Sequence, residues 1–492
     1  MKKIGLVLMV AGLCSVLSAQ ALYKNTFALE NTSDRFAGRL YGNGIVDLLV
    51  QDSVVWAATG YGLSKAVFRG LDTPLEWHSF RDTDYLGKGG VSAMAIMDDD
   101  SSTLWIATAF DTTAQGASLP AGGGLSYTKN GGLTWTHIPQ PVDPREVSAY
   151  APTTTVIQNL TYDIAFVGET VWIASFGGGL RRSDDWGVTW QVVTTDGLPF
   201  NSGQYLNHRA FSLLAVNDTL WVGTAEGISK TTDNGNTWER FTADVNDSAT
   251  ISGNFIVALA WQNETQALWA ATLPAENQGE VRAVSRTLNG GTTWERLLTD
   301  EQVFAHNLAF SGNRVYVASD RGLFYSNDQG QNWEEPLTAL QDDNSGNEIF
   351  QEEYYSTAVQ SVLGMDALWL GNADGLAYTG VEDNLNNASW QIARSFVAVK
   401  DREEPKVYAY PSPFSPSRHY YVRFEFEEGK EFDGPIKIYD FAMDFVADIP
   451  TNGLKPKWNG KNDSGDTVAS GVYFFKARIG GSVTWGKVVV IN

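Results

Sequence analysis

The sequence predicts an all-β chain organised as a seven-bladed β-propeller followed by a second, different β pattern. Three observations carry that prediction. A segment with fixed anchors recurs seven times, at intervals of roughly 50 residues, the period of propeller blades. Each copy divides into about four short apolar or alternating runs separated by Gly, Asn and Asp, as short antiparallel strands do. No stretch shows the apolar period of an amphipathic helix of several turns.

The order inside a copy is constant. An inner strand opens it, at residues 45–49, 92–96, 160–166, 211–214, 255–261, 307–310 and 358–363. The second strand sets an aromatic between apolar neighbours: Trp56, Trp105, Trp172, Trp221, Trp269, Tyr316 and Trp369. A Gly-apolar step starts the third: Gly62-Leu63, Gly124-Leu125, Gly179-Leu180, Gly227-Ile228, Gly322-Leu323 and Gly375-Leu376, with Ala283-Val284 in the fifth copy. A Trp begins the fourth: Trp77, Trp135, Trp190, Trp238, Trp294, Trp333 and Trp390. Residues 22–43 precede the first copy and are expected to lend an outer strand to the last blade.

A turn leads into most of the closing tryptophans. Ser183-Asp184-Asp185-Trp186-Gly187-Val188-Thr189-Trp190 is the clearest, with variants at 128–135, 231–238, 287–294 and 326–333. It resembles the Asp-box (BNR) repeat of sialidases, sortilin-type receptors, xyloglucanase-type hydrolases and photosystem-assembly propellers. The first and last copies, at 68–77 and 379–390, have lost it. The positions that match the box acid are Asp185, Asp233 and Asp328, with Asn130 and Asn289 as amide replacements. Such a side chain accepts hydrogen bonds from its own turn, and Gly supplies the positive φ. These residues are therefore expected to clasp a hairpin rather than to bind a ligand.

The chain has 492 residues, enough for a large propeller and a companion domain, and its formal net charge of −22 argues against nucleic acid and anionic membrane surfaces. Residues 1–21 read as a secretory signal peptide: Lys2 and Lys3, an apolar run too short to span a bilayer comfortably, then the small-x-small site Ala19-Gln20-Ala21. The only cysteine, Cys14, lies within it, so the mature chain offers no disulfide or thiol chemistry. An exported bacterial protein is expected, extracellular or at the cell surface, with the periplasm as the other compartment. No span is expected in the mature chain.

Loop lengths place the expected binding face. Turns between the first and second strands, such as 51–53 and 217–218, are short, as are the box turns on the same side. The long segments, 110–122, 140–158, 196–209, 243–254, 273–282 and 339–355, all fall on the opposite side, where a rigid scaffold usually presents binding groups.

After Trp390 the repeat stops. The propeller is assigned to 22–398, a charged linker to 399–406 and a second domain to 407–492. That domain carries Tyr410-Pro411-Ser412-Pro413-Phe414, Trp458-Asn459-Gly460 and Ala469-Ser470-Gly471-Val472-Tyr473. It resembles the FlgD-type Ig-like domain, whose pattern is shared by sorting domains of the type IX secretion system. The resemblance implies a small Ig-like β-sandwich serving as spacer, attachment or export address.

Chemistry is sparse. A sialidase would need an Arg triad, a Tyr-Glu pair and an acid/base Asp; here Arg145, Arg209 and Arg282 are the main loop arginines, and the Arg-Ile-Pro element is absent. The xyloglucanase-type hydrolases set two Asp across a cleft between tandem propellers, and this chain has one. The five histidines show no metal-ligand spacing, and no cofactor motif is present. Tyr205, His208 and Arg209, and Glu352, Tyr354 and Tyr355, are the richest clusters on the long-loop side; with Arg145 and Arg282 they are the candidate ligand-binding residues. The expected function is non-catalytic binding or assembly, of a glycan or an envelope or extracellular protein. The alternative is a glycoside hydrolase, xyloglucanase- or sialidase-like, or a polysaccharide-binding component.

Overall fold

The structure is a computed structural model that describes residues 40–80, 85–97, 100–114, 116–143, 154–275, 279–342, 347–350, 352–395, 407–425, 432–451, 456–480 and 482–492. The signal-peptide segment, residues 22–39 and the linker lie outside the described residues. Two compact units emerge: residues 1–338 with 352–395, and residues 339–351 with 396–492.

Among its described residues, the first unit is antiparallel β-sheet with two one-turn 3-10 segments, Leu206–His208 and Leu385–Asn387. It holds six four-stranded sheets and one three-stranded sheet, each with its strands in sequence order. The first strands are Ile45–Gln51, Gly90–Met97, Thr161–Val167, Ala210–Val216, Phe255–Gln262, Ala305–Ser311 and Tyr354–Val362. Each lies against the first strand of the next sheet, and Tyr354–Val362 lies against Ile45–Gln51, so the succession closes on itself.

All seven first strands carry a β-bulge just after their start, at Val46, Ser92, Tyr162, Phe211, Val257, His306 and Tyr355. A bulge leaves one residue outside the ladder and re-aims its side chain. The bulged residues therefore gather at one end of the ring.

The second-strand aromatics form the layer between sheets. Trp105, Trp172, Trp269, Tyr316 and Trp369 have no exposed surface. Four of the sheets are also tied forward to the next by a cation. Lys65 donates to the Gly131 carbonyl (2.8 Å), Arg182 to that of Asn234 (2.6 Å), Lys230 to that of Gly290 (3.3 Å) and Arg286 to that of Gln329. All four acceptors lie in turns that precede a closing Trp. A Cβ on Gly132, Gly187, Gly235 or Gly330 would meet Trp56, Trp105, Trp172 or Trp269 of the preceding sheet within 3.4 Å, so glycine at these positive-φ sites lets two sheets touch. Between the last and first sheets, Gln360 donates to the carbonyls of Asp52 (2.8 Å) and Val54 (3.2 Å), and Gln391 to that of Leu71.

Three departures from the sequence expectations have physical reasons. The expected loop 110–122 is mostly ladder: Asp100–Ala114 pairs with Ala117–Thr128 out to Ala114 opposite Ala117, through Thr and Ala residues that suit a strand. In the sixth sheet a single bridge, Leu323 to Leu337, replaces a fourth strand after Trp333. The register breaks beside it: Glu334, not Glu335, donates to the Tyr325 carbonyl at 3.0 Å, so the ladder does not continue. Residues 339–355 are not one loop on the first unit. Ala339–Asp342 and Asn347–Phe350 form a hairpin of the second unit, and the seventh inner strand begins at Tyr354.

The second unit stacks apolar side chains between a three-stranded sheet (Tyr408–Tyr410, Val422–Glu425, Lys457–Trp458) and a four-stranded sheet (Phe445–Ile449, Ile436–Tyr439, Gly471–Ile479, Ser482–Val490). Strict alternation in Gly471–Ile479 buries Tyr473, Phe475, Ala477 and Ile479, and Phe475 meets Phe424 edge-on at 5.0 Å. The hairpin joins through Glu348, whose carbonyl accepts from Arg423 (2.7 Å) and whose carboxylate pairs with Lys457.

Candidate functional site

The long connections enter the ring at the starts of the inner strands, where the bulged side chains collect. A chain of rings runs across this end. Tyr162 lies 5.4 Å from Phe211, Phe176 6.2 Å from Phe211, and Phe211 4.5 Å from Phe255. Phe255 and Phe304 share one apolar cluster, and beyond it Phe304 lies 4.5 Å from His306 and His306 6.0 Å from Tyr355. Two arginines flank the series: Arg209 over Phe176 at 5.3 Å and Arg282 over Phe304 at 5.9 Å.

Of the candidate residues, Arg282 and Tyr355 share the Phe304–His306 end of this cluster, and Arg209 sits at its other end. Tyr205 and His208 brace the adjoining connection. His208 Nδ1 accepts from the Asn201 backbone N–H (2.9 Å), while Nε2 meets both Asp196 oxygens at 3.1 and 3.2 Å. Tyr205 lies 4.9 Å from the imidazole, and Phe200 stacks on it. Burial pushes the Asp196 carboxyl up. Hydrogen bonds from Asn207, Leu198 and His208 outweigh that and hold it below its usual range. The Arg209 guanidinium donates to the Ser202 carbonyl (2.6 Å). Tyr354 is fully buried, and Glu352 is exposed. Arg145 lies outside the described residues.

Other acids on the long connections are also tied down. Asp143 takes Arg181 at 2.9 Å and Thr154 at 2.6 Å; Glu280 takes the Asn254 amide (2.7 Å) and the backbone N–H of Ala275 (2.8 Å). Such bonds hold irregular backbone that has no ladder of its own.

Three residues at this end, His306, Asp47 and Asp163, were not singled out from sequence. His306 is buried, and loss of solvent holds its ring neutral, with its pKa pushed down to about 3. Its 3.6 Å approach to Glu353 is therefore a contact of a neutral ring, while Tyr355 donates to Glu353 at 3.2 Å. Asp47 and Asp163 each follow a bulge, on the first and third inner strands. Both keep partial exposure, yet the surrounding ring strips most of their water and raises each to about 7. Backbone N–H groups counter this: Leu48 for Asp47, and Leu213 (2.7 Å) and Ile164 (2.8 Å) for Asp163. No local pattern marks a bulge; only aligning the copies sets Val46-Asp47 beside Tyr162-Asp163.

At the other end, the box residues work within their turns. Asp185 accepts from Ser183 and the Thr189 backbone (2.8 Å each) and the Thr189 hydroxyl (2.6 Å); Asp233 repeats this with Thr231 and Thr237, and Asp328 with Ser326 and Asn332. Asn130 and Asn289 keep the two accepting bonds and reverse the third: their amides donate to the hydroxyls of Thr134 and Thr293, 2.8 Å each. The Thr237 hydroxyl first, then its backbone N–H, holds Asp233 down at about 2.

Among the described residues no group of three or more His, Cys, Asp or Glu is placed to hold a metal ion, and no helix is long and apolar enough to cross a membrane. No known family's sequence pattern matches the chain, and no curated protein does. Solved structures do. A GH74 enzyme of Niastella koreensis is 14% identical, with a TM-score of 0.51 over 93% of this chain and 75% of its own. An ancestral GH74 enzyme is 15% identical, with a TM-score of 0.52 over 94% of this chain. PorZ, an essential surface component of the type-IX secretion system of Porphyromonas gingivalis, is 15% identical with a TM-score of 0.41 over 91% of this chain. The chain spans 64% of the ancestral enzyme and 66% of PorZ. At these identities the likeness is one of fold, and the fold is that of a β-propeller.

Proposed function

We propose that the first unit is a seven-bladed propeller with Asp-box turns, that the second is an Ig-like sandwich, and that the chain is an exported bacterial surface or secreted protein. The propeller holds its ligand without catalysis, at the end where the inner strands begin. The observation that supports this most is the series of rings from Tyr162 to Tyr355, flanked by Arg209 and Arg282. Tyr162 and Phe176 keep partial exposure over a buried floor of Phe211, Phe255 and Phe304, and aromatics so backed, with a few placed polar groups, suit a glycan or an extended protein segment. Asp143, Asp196 and Glu280 on the long connections are engaged in bracing backbone.

The test is retention and product release by the purified chain on a panel of polysaccharides, sialosides and envelope proteins. Retention that falls on Phe211→Ala or Tyr355→Ala, with no oligosaccharide released, is the expected result. Release of defined oligosaccharides overturns the non-catalytic reading. One observation favours that second reading: Asp47 and Asp163, each raised to about 7, are poised as general acids or bases near neutrality. A glycoside hydrolase working through them would lose product release on Asp163→Asn.

A further inference from the structure

The outward side of the second unit's four-stranded sheet interleaves aromatic and basic side chains. The ladder sets Phe445, Tyr439, Phe474 and Lys487 in one row across it, and Asp448, Lys437, Lys476 and Trp485 in the next. Tyr439 lies 6.1 Å from Phe445, edge-on, and 5.6 Å from Trp485, tilted, so three rings adjoin in one series. Phe445 and Trp485 are each 47% exposed, as scattered surface aromatics of a sheet that needed only solubility would not be. Lys437 stands over Phe445 at 5.2 Å and Lys476 over Trp485 at 5.3 Å. Arg478 and Val483 continue the surface. The face thus carries four cations; Asp448 pairs with Lys437 at 3.0 Å, and Asp463 lies near enough to act on the same lysine. Among the described residues, Lys476, Lys487 and Arg478 have no recorded ion pair. The whole chain carries −22, so a basic face stands against the trend of the sequence.

We infer that this face is a second binding surface, independent of the propeller, for an anionic polysaccharide. The ring-to-ring spacing suits successive sugar units of an extended chain, whose C–H faces stack on aromatic rings while the lysines meet carboxylate or sulfate groups. A solvent-facing sheet surface suits a polymer lying across it.

The test uses the full chain, with polygalacturonate and dextran sulfate as anionic probes and dextran as the neutral one. Binding of the anionic probes should weaken with salt. It should fall about ten-fold or more on Trp485→Ala or Tyr439→Ala, and several-fold on Lys476→Gln. These side chains face solvent, so the variants should unfold as the wild type does. Unchanged binding in all three, or equal retention on dextran, overturns the inference. So does retention of polyglutamate without the polysaccharides, or a dimer that Trp485→Ala dissolves in sedimentation. Tyr355→Ala separates the two sites: polygalacturonate binding that it removes, and Trp485→Ala does not, belongs to the propeller.

Discussion

Gly235 shows how much a single atom decides at the seams. Its φ is +86°, and a Cβ there would lie 2.8 Å from the buried Trp172 ring of the preceding sheet. Gly235→Ala should cost about 1–3 kcal/mol, read as a lowered denaturation midpoint. An equal substitution at Gly168, which also has positive φ but open space, isolates the backbone share. The two inner-strand acids give a pH signature. Their folded pKa lies above the unfolded value, so the native state binds more protons between about pH 4 and pH 7, and stability falls as pH rises through that window. Asp163→Asn should remove part of this slope, stabilising by on the order of 1–2 kcal/mol at pH 8 after allowance for residual solvent contact, and little at pH 4. Equal effects at both pH values would mean the carboxyl is not raised. The box residues were legible in sequence because turn chemistry is local. Asp47, Asp163 and His306 were not, since their environments are made by strands from different copies.

At the scale of elements, a buried ion pair joins Asp143 to Arg181, with Thr154 bonded to both. Arg181 and Asp143 meet at 2.9 Å, with side chains only 4% and 3% exposed. Arg181→Met leaves Asp143 charged and enclosed, and should destabilise the first unit by about 3–5 kcal/mol. Arg181→Met with Asp143→Leu should recover much of that; equilibrium denaturation of the single and double variants measures both. Strand order and the closing tryptophans were readable because apolar anchors recur in each copy. Loop boundaries were less so. Ladder bonds are made by backbone, so the Thr- and Ala-rich arms at 109–122 pair without an apolar signature. The acidic stretch from Gln341 to Glu353 masks Leu340 and Ile349, which are buried within the second unit.

Across the whole molecule, the chain leaves the first unit at residue 339, contributes a hairpin to the second and returns at 352. The C-terminal segment 407–492 is therefore incomplete alone, because Glu348, the partner of Lys457 and acceptor for Arg423, belongs to the hairpin. Residues 407–492 expressed alone should unfold at a lower temperature than the same segment with 339–350 attached through a flexible linker. Identical melting curves would show the hairpin to be dispensable. Sequence continuity cannot reveal such an excursion, since a strand pair buried against a distant segment looks like a long loop from within the repeat.

The forward ties between sheets have a direction. Lys65, Arg182, Lys230 and Arg286 each reach a turn translated after them, so a sheet emerging from the ribosome keeps a bare cation and an uncovered tryptophan until its successor folds. Growth of the ring is then a relay in which each newcomer finishes the one before. A middle blade copied by gene duplication would bring its own fastening and could be accommodated without redesign. The join between the last and first sheets is fastened by Gln360 and Gln391, and Gln360 repeats a tie found inside the ring, where Gln262 of the fifth sheet reaches the Gly312 carbonyl of the sixth at 2.7 Å.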